Sequence, residues 1–191
     1  MKVLGRDALM YKIRKLKRND FTTYYENEVS YYKELLENPA FGIGTYGKKI
    51  KKKGIKAAFS KLYKRAASHN AIVVVAENDA GRMVGIGELQ GHAWAEAPHI
   101  ADMGFSIIKE YRGKGIGTAI VRQLLKMAKG KYEIVTAGTF SRNTASKRLL
   151  KKFGFKRWAF GPKFVKRGKL YMDTEIFYLR LKNSHKQPLK S

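Results

Sequence analysis

The sequence predicts an α/β (α+β) fold built on a mixed sheet of about seven strands. The chain has 191 residues, the size of one domain, and 44% of them are hydrophobic, so it can bury a core. Short apolar runs rich in β-branched residues alternate with longer segments of helical periodicity. A strand, a glycine-rich turn, a helix and a second strand follow one another near the centre, as in a parallel crossover.

The predicted elements follow the chain in the order β, α, α, β, β, β, α, β, α, β, β. The strands are residues 10–17, 71–77, 82–92, 102–108, 132–138, 156–160 and 174–181. The helices are residues 21–37, 55–68, 115–129 and a segment that opens at Asn143. One domain, residues 1–181, is therefore expected, followed by a polar and basic tail, residues 182–191, that frays.

In the first half, residues 10–17 alternate apolar and basic side chains, as a half-buried strand does. Asn19-Asp20 offers an N-cap for the first helix, and Asn38-Pro39 ends it. The second helix places four apolar residues on one face: Ile55, Phe59, Leu62 and Ala66. The next two strands form a hairpin around the turn at residues 78–81.

In the second half, residues 102–108 are apolar and suit a buried strand. Gly113, Gly115 and Gly117 follow within five positions. The helix behind them has one apolar face, made of Val121, Leu124, Leu125 and Ala128. The last two strands are predicted to be joined by a basic loop, residues 161–173.

Charge and composition limit the function classes. Lys and Arg number 40 against 15 Asp and Glu, a net charge of +25, and such a surface attracts polyanions such as RNA, ribosomes or acidic proteins. The densest run, Lys48–Lys53, has five lysines in six positions and is the first candidate for such a contact. A solvated lysine surface is the equally weighted alternative.

Other classes are excluded by absences in the sequence. There is no cysteine, which excludes disulfides, thiolate metal sites and a cysteine nucleophile, and no metal site is expected. No apolar run has the length of a membrane span, and the N-terminus lacks the apolar region of a signal peptide. We expect a cytoplasmic protein without a membrane partner, either a monomer or a homodimer.

The glycine turn predicts a phosphate site. Glycines allow close backbone approach, and the first amides of a helix have no intrahelical partner. Together with the helix dipole they favour an anion, and Arg112 and Lys114 add positive charge. The spacing of the dinucleotide fingerprint and the GK[ST] of a P-loop are both absent. A plain strand–helix turn is the alternative from the glycines alone.

The segment Arg112–Gly117, RGKGIG, resembles the R/Q-x-x-G-x-G/A signature of the GNAT superfamily of acetyl-CoA-dependent N-acetyltransferases. A second segment, Asn143–Phe155, resembles that family's asparagine-opened helix that ends in K-x-G-F. Two motifs in this order and spacing are specific, and the resemblance extends over residues 10–181. It implies a fold with helices on both faces of the sheet and two central parallel strands that splay apart.

The resemblance also implies which residues bind acetyl-CoA as co-substrate. The pantetheine arm would bond to the backbone of Ser106, Ile107 and Ile108. The pyrophosphate would lie on the turn, which comprises Arg112, Gly113, Lys114, Gly115, Ile116, Gly117 and Thr118. Asn143 would reach the pantetheine from the following helix cap, and it can serve as a plain N-cap at the same time.

Direct attack of an amine on the thioester needs a base for the ammonium proton and a donor for the developing charge. Glu88 and Asp102 are the candidate bases, because carboxylates on central strands are costly unless they are paired or functional. A structural role is equally weighted for each, and His92 and His99 are further candidates. Many family members have a tyrosine seven residues after the asparagine, where this chain has Leu150, and Ser146 is the substitute donor to the leaving sulfur.

Two functions remain open at this point. The first is an N-acetyltransferase that acts on a protein N-terminus, a lysine or a small amine. The second is a non-catalytic module of the same fold that binds nucleic acid or a protein partner. The intact glycines favour the enzyme, and the missing tyrosine slightly favours the module.

Overall fold

A computed structural model describes residues 2–4, 10–39, 51–69, 71–92 and 94–181. Its strands are β1 Lys2–Leu4, β2 Met10–Lys15, β3 Ala71–Asn78, β4 Met83–Gly91, β5 Ile100–Ile107, β6 Ile134–Phe140, β7 Lys156–Arg167 and β8 Leu170–Arg180. Its helices are α1 Phe21–Glu37, α2 Lys52–Ala67, α3 Ile116–Ala128 and α4 Thr144–Lys152. The order of elements is the predicted one, with the three-residue β1 added at its start.

The strands form one sheet in the order β1-β2-β3-β4-β5-β6-β8-β7. Neighbours pair antiparallel except β5 and β6, which are parallel because α3 crosses between them. The sheet is therefore mixed, with its parallel pair near the centre, and the predicted α/β fold is confirmed.

Helices cover both faces of this sheet, each over its own apolar cluster. Ile120 and Leu124 of α3 and Leu150 of α4 pack with Val74 and Phe177 on one face. Ile55 and Phe59 of α2 and Tyr24 of α1 pack with Val73 and Val75 on the other. β3 contributes to both clusters because alternate residues of a strand point to opposite faces. We call these faces the α3 face and the α1 face.

Two predicted segments differ from the structure. The second helix begins at Lys52, a turn before the predicted Ile55, because Lys52 and Lys53 are compatible with a helix although they add nothing to its apolar face. The predicted loop at residues 161–173 is wrong: β7 runs to Arg167 and β8 starts at Leu170. Pro162 lies in a register shift of an edge strand, where a missing amide donor is tolerated.

The proposed polyanion run falls partly outside the described residues, and the tail at residues 182–191 falls wholly outside them. Lys51 is the N-cap of α2, and Lys52 and Lys53 open the helix; all three are exposed. Lys48 and Lys49 are outside the described residues. Within the described ranges, no helix is long and apolar enough to span a membrane.

Candidate active site

The central feature is a gap between the two parallel strands. β5 and β6 pair at three positions, Ile100–Ile134, Ala101–Val135 and Asp102–Thr136. β5 then continues to Ile107 and β6 to Phe140 without further pairing between them. The splayed central strands implied by the family resemblance are therefore present, with the Asp102–Thr136 pair at the apex of the gap.

The gap leaves backbone groups of β5 without a strand partner. The carbonyl of His99 accepts from Ile134 N on the β6 side at 3.2 Å, whereas Ile108 N donates to Val84 O of β4 at 3.1 Å. Because backbone groups alternate along a strand, those of Met103 and Phe105 point into the gap. The backbone groups of Ser106 and Ile108, which the family resemblance assigned to the pantetheine arm, point to β4 instead, and Ile108 is a core residue, 2% exposed.

A cavity of about 500 Å³ fills the gap and reaches the glycine turn. Ser106 and Ile107 of β5 line it, as do Asn143 and Ser146 at the start of α4. The turn contributes Arg112, Gly113, Gly115, Ile116, Gly117 and Thr118. Lys114 is outside this lining, and its Nζ lies 5.6 Å from the centroid of the Tyr111 ring.

The turn has the geometry of an anion site. Gly113 and Gly115 have φ of +76° and +84°, which favours glycine, and Gly115 is the N-cap of α3. The first intrahelical bond runs from Ala119 N to Gly115 O at 3.1 Å, which leaves the amides of residues 116–118 without a partner inside the helix. These amides and the helix dipole can hold a phosphate group at the mouth of the cavity.

Gly117 is required for a different reason. A Cβ at this position would lie 3.2 Å from Leu149 Cδ2 and 3.3 Å from Ile107 Cδ1, so a side chain would displace the cavity walls. Arg112 anchors the turn to α1. Its Nε donates to Ile107 O at 2.9 Å, and its two terminal nitrogens bind both carboxylate oxygens of Glu34.

The two candidate carboxylates lie on the α1 face. A Cβ on Gly87 would lie 2.3 Å from Ile120 of α3, so Glu88, the next residue, points to the opposite face. Ala101 and Met103 belong to the core under α3, so Asp102 between them also points to the α1 face. Glu88 pairs with Gly104, two residues from Asp102, and a Cβ on Gly104 would meet nothing within 4 Å. The carboxylates therefore border an open space beside the apex.

Glu88 is half-buried and ion-paired. Arg65 of α2 donates from Nη2 to its Oε1 at 2.7 Å, and the Glu88 side chain is 28% exposed. Burial raises the pKa of Glu88 above its ordinary value, and the Arg65 charge partly opposes that rise. Tyr24 of α1 lies close enough that Glu88 contributes to its raised pKa, although burial is the larger cause.

Asp102 has different surroundings. Its side chain is 65% exposed; Oδ1 accepts from the Thr136 hydroxyl, and Oδ2 lies 3.2 Å from His92 Nε2. Trp94 packs edge-on against His92 with 6.0 Å between ring centroids. Asp102, Thr136 and His92 therefore form a chain of polar contacts at the apex, open to solvent.

The start of α4 contains the residues of the second motif. Asn143 is the N-cap, and its Oδ1 accepts from Ser146 N at 3.0 Å. Ser146 and Leu150 both line the cavity, and Leu150 is also a core residue, 1% exposed. The position that often carries a tyrosine thus presents an apolar side chain to the cavity wall in this protein.

A family model described as "Acetyltransferase (GNAT) domain" matches residues 12–156. This chain belongs to the GNAT acetyltransferase family. The predicted family is confirmed, and with it an acyltransferase enzyme. No curated protein sequence matches the chain.

Solved structures of the family share the fold at low identity. An N-acetyltransferase from Staphylococcus aureus Mu50 has TM-score 0.77 and 22% identity, over 90% of this chain and 99% of that one. A phosphinothricin acetyltransferase from Sinorhizobium meliloti, solved with acetyl-CoA, has TM-score 0.75 and 19% identity, over 93% and 92%. A ribosomal-protein-S5-alanine acetyltransferase from Vibrio fischeri has TM-score 0.75 and 19% identity, over 93% and 96%.

Several residues of this GNAT site were not predicted from the sequence. Arg65 and Thr136 hold the two carboxylates, and no sequence signal singles them out because each contact joins distant segments. Ala137–Thr139 line the other wall of the gap. These residues follow Thr136, the last residue of β6 that pairs with β5. The splayed strands implied by the family resemblance could have indicated them.

Proposed function

We propose that this enzyme transfers the acetyl group of acetyl-CoA to a primary amine by direct attack at the apex of the β5–β6 gap. The observation that carries the proposal is the arrangement of the gap. An anion-binding turn lies at one end, unpaired strand backbone lies along its side, and two carboxylates lie beside the apex. The relative from Sinorhizobium meliloti, which has the same fold, was solved with acetyl-CoA.

In this proposal the pyrophosphate lies on the amides of residues 116–118 and the pantetheine arm follows β5 towards Asp102. The stretch from Met103 to Ile107 spans roughly 13 Å at about 3.3 Å per residue. An arm along this stretch bonds to the backbone groups of Met103 and Phe105, which β6 leaves unpaired. Its thioester then arrives next to the open space above Gly104.

Glu88 is the proposed general base. Its half-buried carboxylate faces the open space, and a raised pKa brings a carboxylate closer to the proton affinity that amine deprotonation needs. Glu88 takes the ammonium proton, and the neutral nitrogen then forms the new bond to the acetyl carbon. As the carbon–sulfur bond breaks, the second proton of the nitrogen passes to the leaving thiolate, with the Ser146 hydroxyl as hydrogen-bond donor or relay. The products are the amide and the free thiol, and Glu88 releases its proton to solvent.

Asp102 is proposed to attract the protonated amine before it reacts. The exposed carboxylate and the neighbouring Trp94, 72% exposed, make the apex accessible to a large acceptor. We therefore propose that the acceptor is an amine of a polypeptide rather than a small amine. Of the two kinds of polypeptide amine, we propose the N-terminal amine first and the lysine side chain second. The two relatives named for their acceptors use a ribosomal protein alanine and phosphinothricin, so the fold accommodates both sizes.

The test is thiol release from acetyl-CoA with a matched panel of amines. One peptide has a free N-terminus and no lysine, a second has a blocked N-terminus and one lysine, and small amines form the third arm. We expect the free N-terminus to be acetylated fastest, with a mass increase of one acetyl group. Acetyl-CoA binding without release of thiol in any arm would contradict amine acetylation, and preference for a small amine would contradict the polypeptide acceptor.

A further inference from the structure

The C-terminal part of the chain has a large excess of positive charge that its own acids do not neutralise. Residues 141–181 include twelve Lys and Arg but two acidic residues. Glu175 is 8% exposed and binds Lys147 Nζ at 2.9 Å, and Asp173 Oδ1 accepts from the Lys163 backbone at 2.7 Å. Both acids are thus engaged within the protein. Arg157 Nη1 lies 4.0 Å from Glu175 Oε2, although the Arg157 side chain is 62% exposed, and Arg167 donates to the carbonyl of Pro39.

The same region exposes most of the large apolar side chains at the surface. Of seven such side chains in the described ranges, five lie on β7 and β8: Trp158, Phe160, Phe164, Tyr171 and Ile176. Exposed aromatic groups concentrated on one hairpin indicate an interaction surface, because solvent exposure of single apolar residues is normally scattered.

The strand register places one row of these groups on the α3 face of the sheet. Arg157 pairs with the core residue Phe177, and Phe160 pairs with Glu175, which Lys147 of α4 binds. Cross-strand partners share a face, so Arg157 and Phe160 lie beside α4.

Farther along the hairpin, Lys166 pairs with Tyr171, and its Nζ lies 5.2 Å from the centroid of the Tyr171 ring. Tyr171 shares the face of Glu175 because residues four apart on a strand point the same way. We define the hairpin–α4 surface as Lys151, Arg157, Phe160, Lys166 and Tyr171. All five are exposed, and their face is opposite to that of Glu88 and Asp102.

We propose that the hairpin–α4 surface binds single-stranded nucleic acid. The positive side chains can bind the phosphates of a single-stranded nucleic acid, and the exposed rings next to them can stack on its unpaired bases. A duplex would leave the rings unused because its bases are already stacked. A second copy of this chain would bring two basic hairpins together, and their like charges oppose that contact.

The test uses a labelled twelve-nucleotide oligouridine and the matching oligothymidine, with binding followed by anisotropy at several salt concentrations. Phe160→Ala with Tyr171→Ala should weaken binding at least about 30-fold, as expected for the loss of base stacking at two rings, and leave the salt slope unchanged. Replacement of Lys151, Arg157 and Lys166 by Gln should lower the slope of log K against log salt by about 2. Unequal affinity for the two strands identifies RNA or DNA as the preferred source.

The matched control replaces Lys56, Lys61 and Lys64 of α2 by Gln. These lysines are also exposed, and they should leave the slope unchanged. Each variant should keep the wild-type melting-temperature shift with acetyl-CoA, which shows that the fold and the gap are intact.

The proposal is overturned if the hairpin variants bind the oligonucleotides as the wild type does. It is also overturned if duplex, polyphosphate or polyglutamate binds as tightly as the single strand, since none of them presents free base faces. Self-association of the wild type that the Phe160 and Tyr171 changes abolish would assign the surface to a second copy instead.

Discussion

The two ends of the β5–β6 gap are built in different ways. The turn end uses contiguous residues, and its proposed anion site consists of backbone amides at the start of α3. The apex uses side chains from separate elements: Arg65 from α2, Glu88 from β4, Asp102 from β5 and Thr136 from β6. One end therefore depends on local backbone geometry and the other on long-range packing.

This difference predicts which kinds of substitution disrupt each end of the proposed site. Backbone amides keep their function when neighbouring side chains change, but they require glycine at positive φ. Side-chain carboxylates depend on burial and on partners such as Arg65, which set their pKa. Changes at the turn should therefore affect acetyl-CoA binding, and changes at the apex should affect turnover.

The largest expected effect is at Glu88. Glu88→Gln should reduce kcat/KM roughly 10²–10⁴-fold at neutral pH, because the proposed base is removed. The reduction should shrink as pH rises, since the acceptor then supplies more free amine by itself. Steady-state rates across a pH series check this.

Asp102→Asn is the control for that change, because it removes the other carboxylate of the same face. It should raise KM for the amine with a smaller reduction in kcat, so that its effect lies in amine binding and that of Glu88→Gln lies in turnover. If both variants keep near-normal rates at neutral pH, neither carboxylate is the base, and His92, His99 or an ordered water becomes the candidate.

The next effect is at the turn. Gly115→Val should lower acetyl-CoA affinity at least about tenfold, because φ of +84° disfavours a side chain and the first amides of α3 would shift. Gly130→Val is the matched control, because φ is +78° beyond the other end of α3, and a Cβ meets nothing within 4 Å. Both variants should lose roughly 1–3 kcal/mol of unfolding free energy. Equal affinity in the two variants would contradict the anion site.

The turn end was predictable from sequence because its function lies in consecutive residues. The helix from Phe21 to Glu37 was predicted with its observed bounds, because Asp20 and Asn38-Pro39 mark its two ends. The apex was predicted only as separate carboxylates. The contacts of Arg65 with Glu88 and of Thr136 with Asp102 join segments 23 and 34 residues apart, and no local pattern encodes such pairs.

Arg65→Met should produce a moderate change in the pH dependence of kcat/KM, which tests whether the apex depends on its side-chain partners. Burial raises the pKa of Glu88 and the Arg65 charge lowers it, so removal of that charge should raise it further. Because the ionised carboxylate is the active form, activity falls as pH falls through this pKa. The acid limb of the kcat/KM profile should therefore move to higher pH. An unchanged limb together with lower stability would mean that Arg65 has a structural role only.

The hairpin shows why some elements escape prediction. Gly161, Pro162 and the surrounding lysines indicate a loop by composition, yet β7 and β8 continue through a register shift. Edge position allows this, because Pro162 needs no ladder partner on the open side. Local composition thus predicts the wrong secondary structure where pairing between strands determines it.

The smallest expected effect concerns the lysine run Lys48–Lys53. If this run binds a polyanion, replacement of its five lysines by Gln should lower the salt slope of RNA or ribosome binding by about 0.7–0.9 for each phosphate that the run neutralises. Acetylation of a short peptide should stay unchanged, because the run is separate in sequence from the turn. If the wild type and the variant have equal salt slopes, the lysines are only a solvated surface.

The most direct test of the two-ended site is calorimetric titration of acetyl-CoA into three proteins: the wild type, Glu88→Gln and Gly115→Val. We expect the wild type and Glu88→Gln to bind with the same affinity, because the base lies on the α1 face and not at the turn. Gly115→Val should bind at least about tenfold more weakly. Weaker binding by Glu88→Gln, or wild-type affinity in Gly115→Val, would contradict the division of the gap into a cofactor end and a reaction end.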